Sequence, residues 1–579
     1  MAPQAVFSMS LLILSLFFAS FFQAAFGATL PVKRADVQVT AGGTVYTGVQ
    51  ANGQDKFLGM NHPSSSHLGS LPSLGIPYAK PPVGNLRFRR PVVATPGPAV
   101  NAQAFGPRCL QWQSAADASE DCLTLNIWRP QNVTGPLPVM IWIYGGSFIL
   151  GESSTYLGDN IVSTSTSMGQ PVIYVSLNYR LGFFGFPVGS QTMGKGTTNL
   201  GLYDQRMAIE WVQKNIQFFG GDPTKVTLFG ESAGAISISY QMFYKGGQIG
   251  GAFRAAIMQS GAPSSYKSTA QDTNARQKAY DQIAAYTGCD KATNSFECLR
   301  ALDVNKLQEA HCATYALPLS SIAFANFPAA YGPVTDSSDD FLPMSTTALV
   351  AAGKYADIPI ISGSNLDEGT WFVSNPQTTL DIIAFLSSDD VAYSPNINIG
   401  GSTPLLPLYP DIPAMGSPYN TGNEMFGRER QYKRAASFVG DLLFTAPRRD
   451  FIRKVNARNS AVWSYLFAQP TGGPAVFGIS HASEIPYVFG FPVSTAADVE
   501  VATKMRQYWI NFAVQLNPRP SGSNLPSANT DWPSYGSSLL GLLGKNMLQF
   551  KAGDYSVIKD DFRELANLSI LSNPLLQLL

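Results

Sequence analysis

The hexapeptide "FGESAG" at 229–234 sets Ser232 between Gly230 and Gly234, at the end of the β-like run "KVTLF". A serine hydroxyl attacks a carbonyl carbon only when it is lifted clear of the backbone and paired with a base. Glycines on both sides of a strand-to-helix turn permit that elbow. The N–H of Ala233, at the start of the following helix, then faces the negative charge that develops on the carbonyl oxygen. Alone, the pentapeptide is weak evidence in a chain with 52 glycines. An ordinary tight turn would look the same, so the other parts of an acyl-transfer site must be found elsewhere.

A neutral serine needs a base, and histidine serves near pH 7. There are four: His62, His67, His311 and His481. The first two fall in the polar stretch "NHPSSSHLG" and suit a surface loop. His311 closes the helical pattern "DVNKLQEAHC" and is the lesser candidate. His481, in "FGISHASEIPYVFG", stands before an apolar segment and C-terminal to the serine. A carboxylate must hold the imidazole, and "IPIISGSNLDEGTWF" supplies Asp367 and Glu368 just after a strand-like run. Spacing does not choose between them. The order serine, acid, histidine is that of a nucleophile-elbow hydrolase. Upstream, "IYGGSF" offers backbone N–H groups at Gly146 and Ser147 for an oxyanion.

These groups need a scaffold that gathers them. The apolar runs at 137–144, 170–180, 222–230, 253–261, 358–365 and 460–468 suggest strands, and several end in Gly or Ser. The stretch 199–220 carries Leu202, Met207, Ile209, Trp211, Val212, Ile216 and Phe219 at helical spacing, with Asn199 or Asp204 as its cap. Strands alternating with helices, with polar groups at strand ends, predict an α/β fold: a large, mostly parallel central sheet flanked by helices. The regions 270–350 and 375–455 look mostly helical, predicting excursions that cap the active site.

Among 579 residues, Lys plus Arg and Asp plus Glu both number 39, so the net charge is zero. No basic stripe appears, which argues against nucleic acid as partner. Residues 1–28 form an apolar run closing in small residues, the pattern of a secretory signal, although the usual basic residue before it is missing. An uncleaved anchor is the alternative. Residues 29–34 end in Lys33-Arg34 and suit a short propeptide, leaving 35–579 as a single domain. No later stretch is apolar enough for an integral membrane segment after signal removal. The expected location is secreted and extracellular. Asn132 in "NVT" and Asn567 in "NLS" are glycosylation acceptors if exposed. Two cysteine pairs lie close in sequence, Cys109 with Cys122 and Cys289 with Cys298, and Cys312 is left over. Short local bridges suit an oxidising compartment, but spacing leaves the connectivity open. No metal or other cofactor is needed for this chemistry.

The chain resembles the type-B carboxylesterase/lipase family, which includes the cholinesterases, and within it the fungal branch typified by the Candida rugosa lipases. The likeness runs from about residue 37 to the end. It is carried by "GIPYAKPPVGNLRF", "EDCLTLNIW", "IYGGSF", "NYRLGFFGF", "NLGLYDQRMAIEWVQKNIQFFGGDP", "FGESAG", "GSNLDEGTWF", "YKRAASFVGDLLFTAPRR" and "DWPSY". The resemblance implies an α/β-hydrolase fold and a triad of Ser232, Glu368 and His481, taking the Glu of the D-E-G motif as acid. It implies Glu231 and Ser260 as supporting groups beside the triad, Ile236 and Phe372 in the acyl pocket, and disulfides Cys109–Cys122 and Cys289–Cys298.

Three departures bear on substrate. Relatives generally read G-G-G-F where this chain has Gly146-Ser147-Phe148. A backbone N–H survives there, but a side chain can crowd bulky groups or strain a φ that suits glycine. The segment 59–75 lengthens a loop that is usually tight. Only "LQWQSAADASED" separates Cys109 from Cys122, too short and polar for the amphipathic lid of the yeast lipases. The expectation is a secreted serine ester hydrolase acting through an acyl-enzyme on soluble or micellar aliphatic or aromatic esters. The alternative is a triacylglycerol lipase or sterol esterase at lipid interfaces, with 59–75 as the covering element. An amidase, or a non-catalytic cholinesterase-like binding protein, is less favoured because all three triad members are present.

Overall fold

The computed structural model describes residues 35–58, 75–112, 117–133, 135–266, 268, 273–314, 331–373, 375–386, 403–458, 461–491, 493, 495–519, 531–537 and 544–573. The signal-like run, the dibasic segment and nearly all of 59–75, with His62 and His67, lie outside the described residues.

The strands are β1 (Ala35–Ala41), β2 (Thr44–Ala51), β3 (Gln54–Phe57), β4 (Thr124–Pro130), β5 (Leu137–Ile143), β6 (Ile173–Leu177), β7 (Gly221–Glu231), β8 (Ala255–Gln259), β9 (Ile360–Asn365), β10 (Val462–Phe467), β11 (Asn546–Phe550) and β12 (Val557–Lys559). They lie side by side as β1-β2-β3-β4-β6-β5-β7-β8-β9-β10-β11-β12. Ile76–Pro77 pairs with β4, and Ala99–Asn101 with β2. Pairing is antiparallel from β1 through β4 to β6 and again between β11 and β12. From β6 to β11 every neighbour is parallel.

Composition follows that layout. The central strand β5, "LPVMIWI", is buried at every position, as a parallel strand covered on both faces must be. The edge strand β1 alternates towards its end, with Val39 and Ala41 buried and Gln38 and Thr40 exposed. A single buried Ile or Val in β5 stabilises by about 1.5–3 kcal/mol, so a charge at Ile141 would disrupt the sheet at its centre.

The six predicted strand runs all contain strands; five are trimmed and the run at 222–230 is lengthened by a residue at each end, to Gly221–Glu231. The predicted helix at 199–220 is α1 (Leu200–Asn215) followed by a tight 3-10 turn, Ile216–Phe219, which ends at Gly220 with φ 85°. Its expected cap is corrected. Asn199 occupies the N-cap position but makes no side-chain cap. Its amide exchanges hydrogen bonds of 2.8 Å with the backbone of Val334 instead. Asp204 is buried within the helix and holds Arg180 at 2.7 Å. Both side chains fasten α1 to other segments, which outweighs capping. The elbow helix α2 spans Ala233–Gly247.

The two predicted excursions contain helices, among them Val304–Ala313, and Tyr432–Gly440 running through a π-helical turn, Asp441–Thr445, into Ala446–Asn456. Each builds a small apolar cluster of its own against the main core. One centres on Phe183, Phe184, Tyr280 and Leu307, the other on Phe372, Phe438 and Phe444. Both disulfides form as Cys109–Cys122 and Cys289–Cys298, and Cys312 is free.

Candidate active site

Parallel pairing brings the carboxyl ends of β5, β7, β8, β9 and β10 to one edge of the sheet. In open α/β sheets that edge is where ligands sit. The loops leaving these strands carry, in order, Gly146 and Ser147, then Ser232, Ser260, Glu368 and His481.

Ser232 stands alone between β7 and α2 with φ 55° and ψ −124°. A non-glycine residue held there stores about 1–3 kcal/mol of strain. Its neighbours explain why it is held. A Cβ on Gly234 would lie 1.9 Å from the Ile143 carbonyl oxygen, and one on Gly230 2.5 Å from the same atom. A Cβ on Gly261 would meet the Ser232 carbonyl at 2.6 Å. Strand, elbow and helix are thus pressed together so closely that only glycine fits. The Ser232 N–H donates to Gln259 O at 2.9 Å, tying the elbow to β8.

The candidate base and acid are brought together. His481 Nδ1 lies 2.6 Å from Glu368 Oε2. The other carboxylate oxygen of Glu368 accepts from Ser260 Oγ at 2.6 Å and from Asn365 N at 2.7 Å. Asp367, left open by spacing, faces away. Its carboxylate accepts from Ser417 Oγ, Tyr419 N and Ile479 N at 2.7–2.9 Å. It therefore clamps the loop before the histidine against the acid's own loop.

Glu231 is the less expected partner. Its Oε1 lies 3.1 Å from His481 Nε2, and among the described residues Nε2 has no hydrogen-bond partner. Burial pushes the Glu231 carboxyl up to about 8, against the pull of His481. Burial disfavours the imidazolium of His481, but Glu231 and Glu368 outweigh that and raise it to about 9. Both shifts favour the protonated forms, so the imidazole must lose its proton before it can act as a base.

His311 is excluded from the site. Fully buried between Phe184 and Tyr331, its Nε2 accepts the Phe183 N–H at 3.3 Å, and burial lowers it to about 3. It is a neutral core residue.

Gly146, Ser147 and Phe148 take φ values of 108°, 57° and 63°. Three successive left-handed residues turn the chain back beneath the elbow. A Cβ on Gly146 would sit 2.2 Å from Leu150 O. Ser147 does adopt a glycine-like φ, as its departure from the usual glycine suggested. Ala233 begins α2, where N–H groups have no intrahelical acceptor.

Two aromatic rings cover the imidazole. Phe372 lies 5.1 Å from it, centroid to centroid, and Phe444 4.5 Å. Ile236, buried one turn into α2, bonds its N–H to Ser232 O. Phe444 was not foreseen. It lies in the quoted "YKRAASFVGDLLFTAPRR", and the π-turn that aims it has no sequence signature. Glu484 was also missed. Fully buried, it accepts from Asn365 Nδ2 at 2.6 Å and Gln259 Nε2 at 3.1 Å, and Trp509 donates to Gln259 Oε1 at 3.0 Å. Burial and the charge of Glu368 raise its carboxyl.

Of the two glycosylation candidates, Asn132 is exposed in the turn between β4 and β5. Asn567 is corrected. It is 1 % exposed and its Nδ2 donates to Arg563 O at 3.0 Å, so the acceptor nitrogen is engaged and covered.

Comparison with known proteins places this geometry. A profile described as the carboxylesterase family matches residues 56–552. "Lipase 4" of Diutina rugosa is 36% identical over 567 residues, covering 91% of this chain and 96% of that one. "Secreted triacylglycerol lipase LIP1" of Gibberella zeae is 35% identical over 530 residues, 85% of each chain. The solved structure of Aspergillus niger EstA superposes with a TM-score of 0.76 at 26% identity, over 93% of this chain and 99% of that one. With its mostly parallel sheet and flanking helices, the chain has the α/β-hydrolase fold; it belongs to the carboxylesterase family and is a carboxylic ester hydrolase.

Proposed function

We propose that the protein is a secreted serine esterase that works through Ser232, His481 and Glu368 and an acyl-enzyme intermediate. Ser232 Oγ attacks the ester carbonyl carbon while His481 Nε2 takes its proton. Glu368 keeps the imidazole oriented through Nδ1 and stabilises the cation. The N–H groups of Gly146, Ser147 and Ala233 receive the oxyanion. Collapse breaks the bond to the alkoxy oxygen, which leaves with the proton from His481. Water, deprotonated by the same histidine, then attacks the acyl-serine and releases the acid. The observation that carries this reading is the 2.6 Å contact of His481 with Glu368 at the strand edge that also bears the strained Ser232.

Soluble or micellar esters are the favoured substrates because the Cys109–Cys122 loop is fixed at its base. Arg87 grips Glu120 with two bonds of 2.6 and 2.7 Å, and also donates to the Arg300 and Leu302 carbonyls. Arg108 holds Asp117 at 2.8 Å. These bonds hold the described residues that flank the disulfide, which favours the esterase reading over a lid hinged there. The lipase reading is favoured by the names of the relatives, which are lipases of two fungi. One of these is a secreted protein by name, in keeping with the signal-like start.

Hydrolysis of p-nitrophenyl esters of two to about sixteen carbons, below and above their solubility limits, tests both readings. Ser232→Ala protein is the control. Short-chain preference without a jump on emulsification establishes the esterase. A long-chain maximum with a jump makes it a lipase, and turnover independent of Ser232 refutes the triad.

A further inference from the structure

A cavity of about 500 Å³ opens beside β9 and β10, separate from the triad: neither Ser232, His481, Phe372, Phe444 nor Ile236 lines it. Its volume falls within the roughly 300–1,000 Å³ of small-molecule sites. Leu366, Leu408, Met415, Leu466, Met547 and Phe562 give it an apolar wall. Met415 and Phe562 are 56 % exposed at its mouth.

The remaining wall is cationic. Arg434, Arg448, Arg449, Lys559 and Arg563 line it, and Asp560 is the single carboxylate among the described lining residues. Asp560 is shared by Arg448 and Arg449, and Arg563 pairs with Asp441. Arg434 donates to the carbonyls of Tyr409 and Leu406 and to the side chains of Thr379 and Gln431, all neutral. Two buried donors on these side chains, Arg448 Nε and Arg563 Nη1, have no acceptor among the described residues. Buried donors seldom stay unpaired, and the five cations outnumber Asp560, Asp441 and Asp411, the carboxylates that act on Arg448, Arg449, Arg563 and Arg434, which leaves an excess of positive charge. An apolar wall with that excess matches a ligand with an aliphatic chain and an anionic head.

We propose that this cavity binds an aliphatic carboxylate, its head toward the arginines and its chain along Met415 and Phe562. The choice of a carboxylate, the acid half of an ester, rests on the ester-hydrolase reading; the cavity and its charge do not. The site adjoins the catalytic acid, since Asn365 lines it and donates its N–H to Glu368.

Equilibrium dialysis of radiolabelled dodecanoate, kept below its micelle concentration, against Ser232→Ala protein tests the proposal. That variant is inactive on the proposed mechanism, so binding and hydrolysis succeed or fail independently. Saturable binding of dodecanoate is expected, with dodecanol bound far more weakly. Ala414, exposed on the cavity wall, is a place where Trp can plug the opening without entering the core, and Ala414→Trp is expected to remove binding. Exposed Lys559→Glu is expected to weaken it about tenfold. Absence of saturable binding, binding that survives Ala414→Trp, or dodecanol bound as tightly as dodecanoate each overturns the proposal.

Discussion

His481 Nε2 faces Glu231 Oε1 at 3.1 Å, while its Nδ1 holds Glu368 at 2.6 Å. The imidazole is flanked by two carboxylates, and both favour its protonated form. Catalysis requires the neutral form, so kcat/KM should rise with pH as the proton leaves. Glu231→Gln removes one of the two stabilising charges, and the imidazolium then loses its proton more easily. The acid limb of the pH–rate profile should move to lower pH, by about one unit. A limb that stays in place would mean that Glu231 does not act on the histidine.

Glu368 and Ser260 should separate in magnitude. Glu368→Gln is expected to lower kcat by about 10³–10⁴ with KM little changed, because the imidazole loses its orienting charge. Ser260→Ala leaves Glu368 with the Asn365 N–H bond, so a loss of about tenfold is expected. Steady-state kinetics of both variants on one soluble ester decides this. Equal losses would show that Ser260 does more than hold the acid.

Two glycines give a stability contrast. A Cβ on Gly234 meets the Ile143 carbonyl at 1.9 Å, whereas one on Gly220 meets nothing within 4 Å and bears only the strain of φ +85°. Gly220→Ala should cost about 1 kcal/mol. Gly234→Ala should cost more than about 3 kcal/mol or prevent folding. Urea unfolding measures both, and similar values would contradict the close packing at the elbow.

Ser147 holds a left-handed φ of 57° beside the elbow. Ser147→Gly should relieve that strain and open space by the proposed oxyanion donors. Its turnover of esters of branched alcohols should increase relative to ethyl esters. Unchanged ratios would place the Ser147 side chain away from the alcohol.

If the protein is glycosylated, mass spectrometry before and after endoglycosidase should place the sugar on Asn132 and not on Asn567. Asn567→Gln should leave the glycan mass unchanged. It should also destabilise by about 1–2 kcal/mol, through a buried amide that no longer fits.

Much of the site was legible because its parts obey local rules. Small residues flank Ser232, apolar runs mark the strands, and the serine, acid and histidine each follow a strand-like run or a glycine-bounded loop. Residue types alone left Asp367 and Glu368 equivalent, since what separates them is which loop each carboxylate meets. The family motif named Glu368, and the structure shows Asp367 occupied with Ser417, Tyr419 and Ile479. Glu484 was illegible for a similar reason. Its partners Gln259 and Asn365 come from β8 and β9, more than a hundred residues upstream. Burial misled at Asn567, where a surface motif sits on the inner face of a helix, and at Asn199, where a capping residue serves a distant segment instead.

Asn132 occupies the turn that leads into β5, whereas Gly146 and Ser147 follow the other end of that strand. A sugar chain at Asn132 would project from the side of the molecule remote from Ser232. Oxidising that sugar and coupling it to a hydrazide support would immobilise the enzyme with its opening toward the solution, a handle for oriented attachment that random coupling through lysines does not provide.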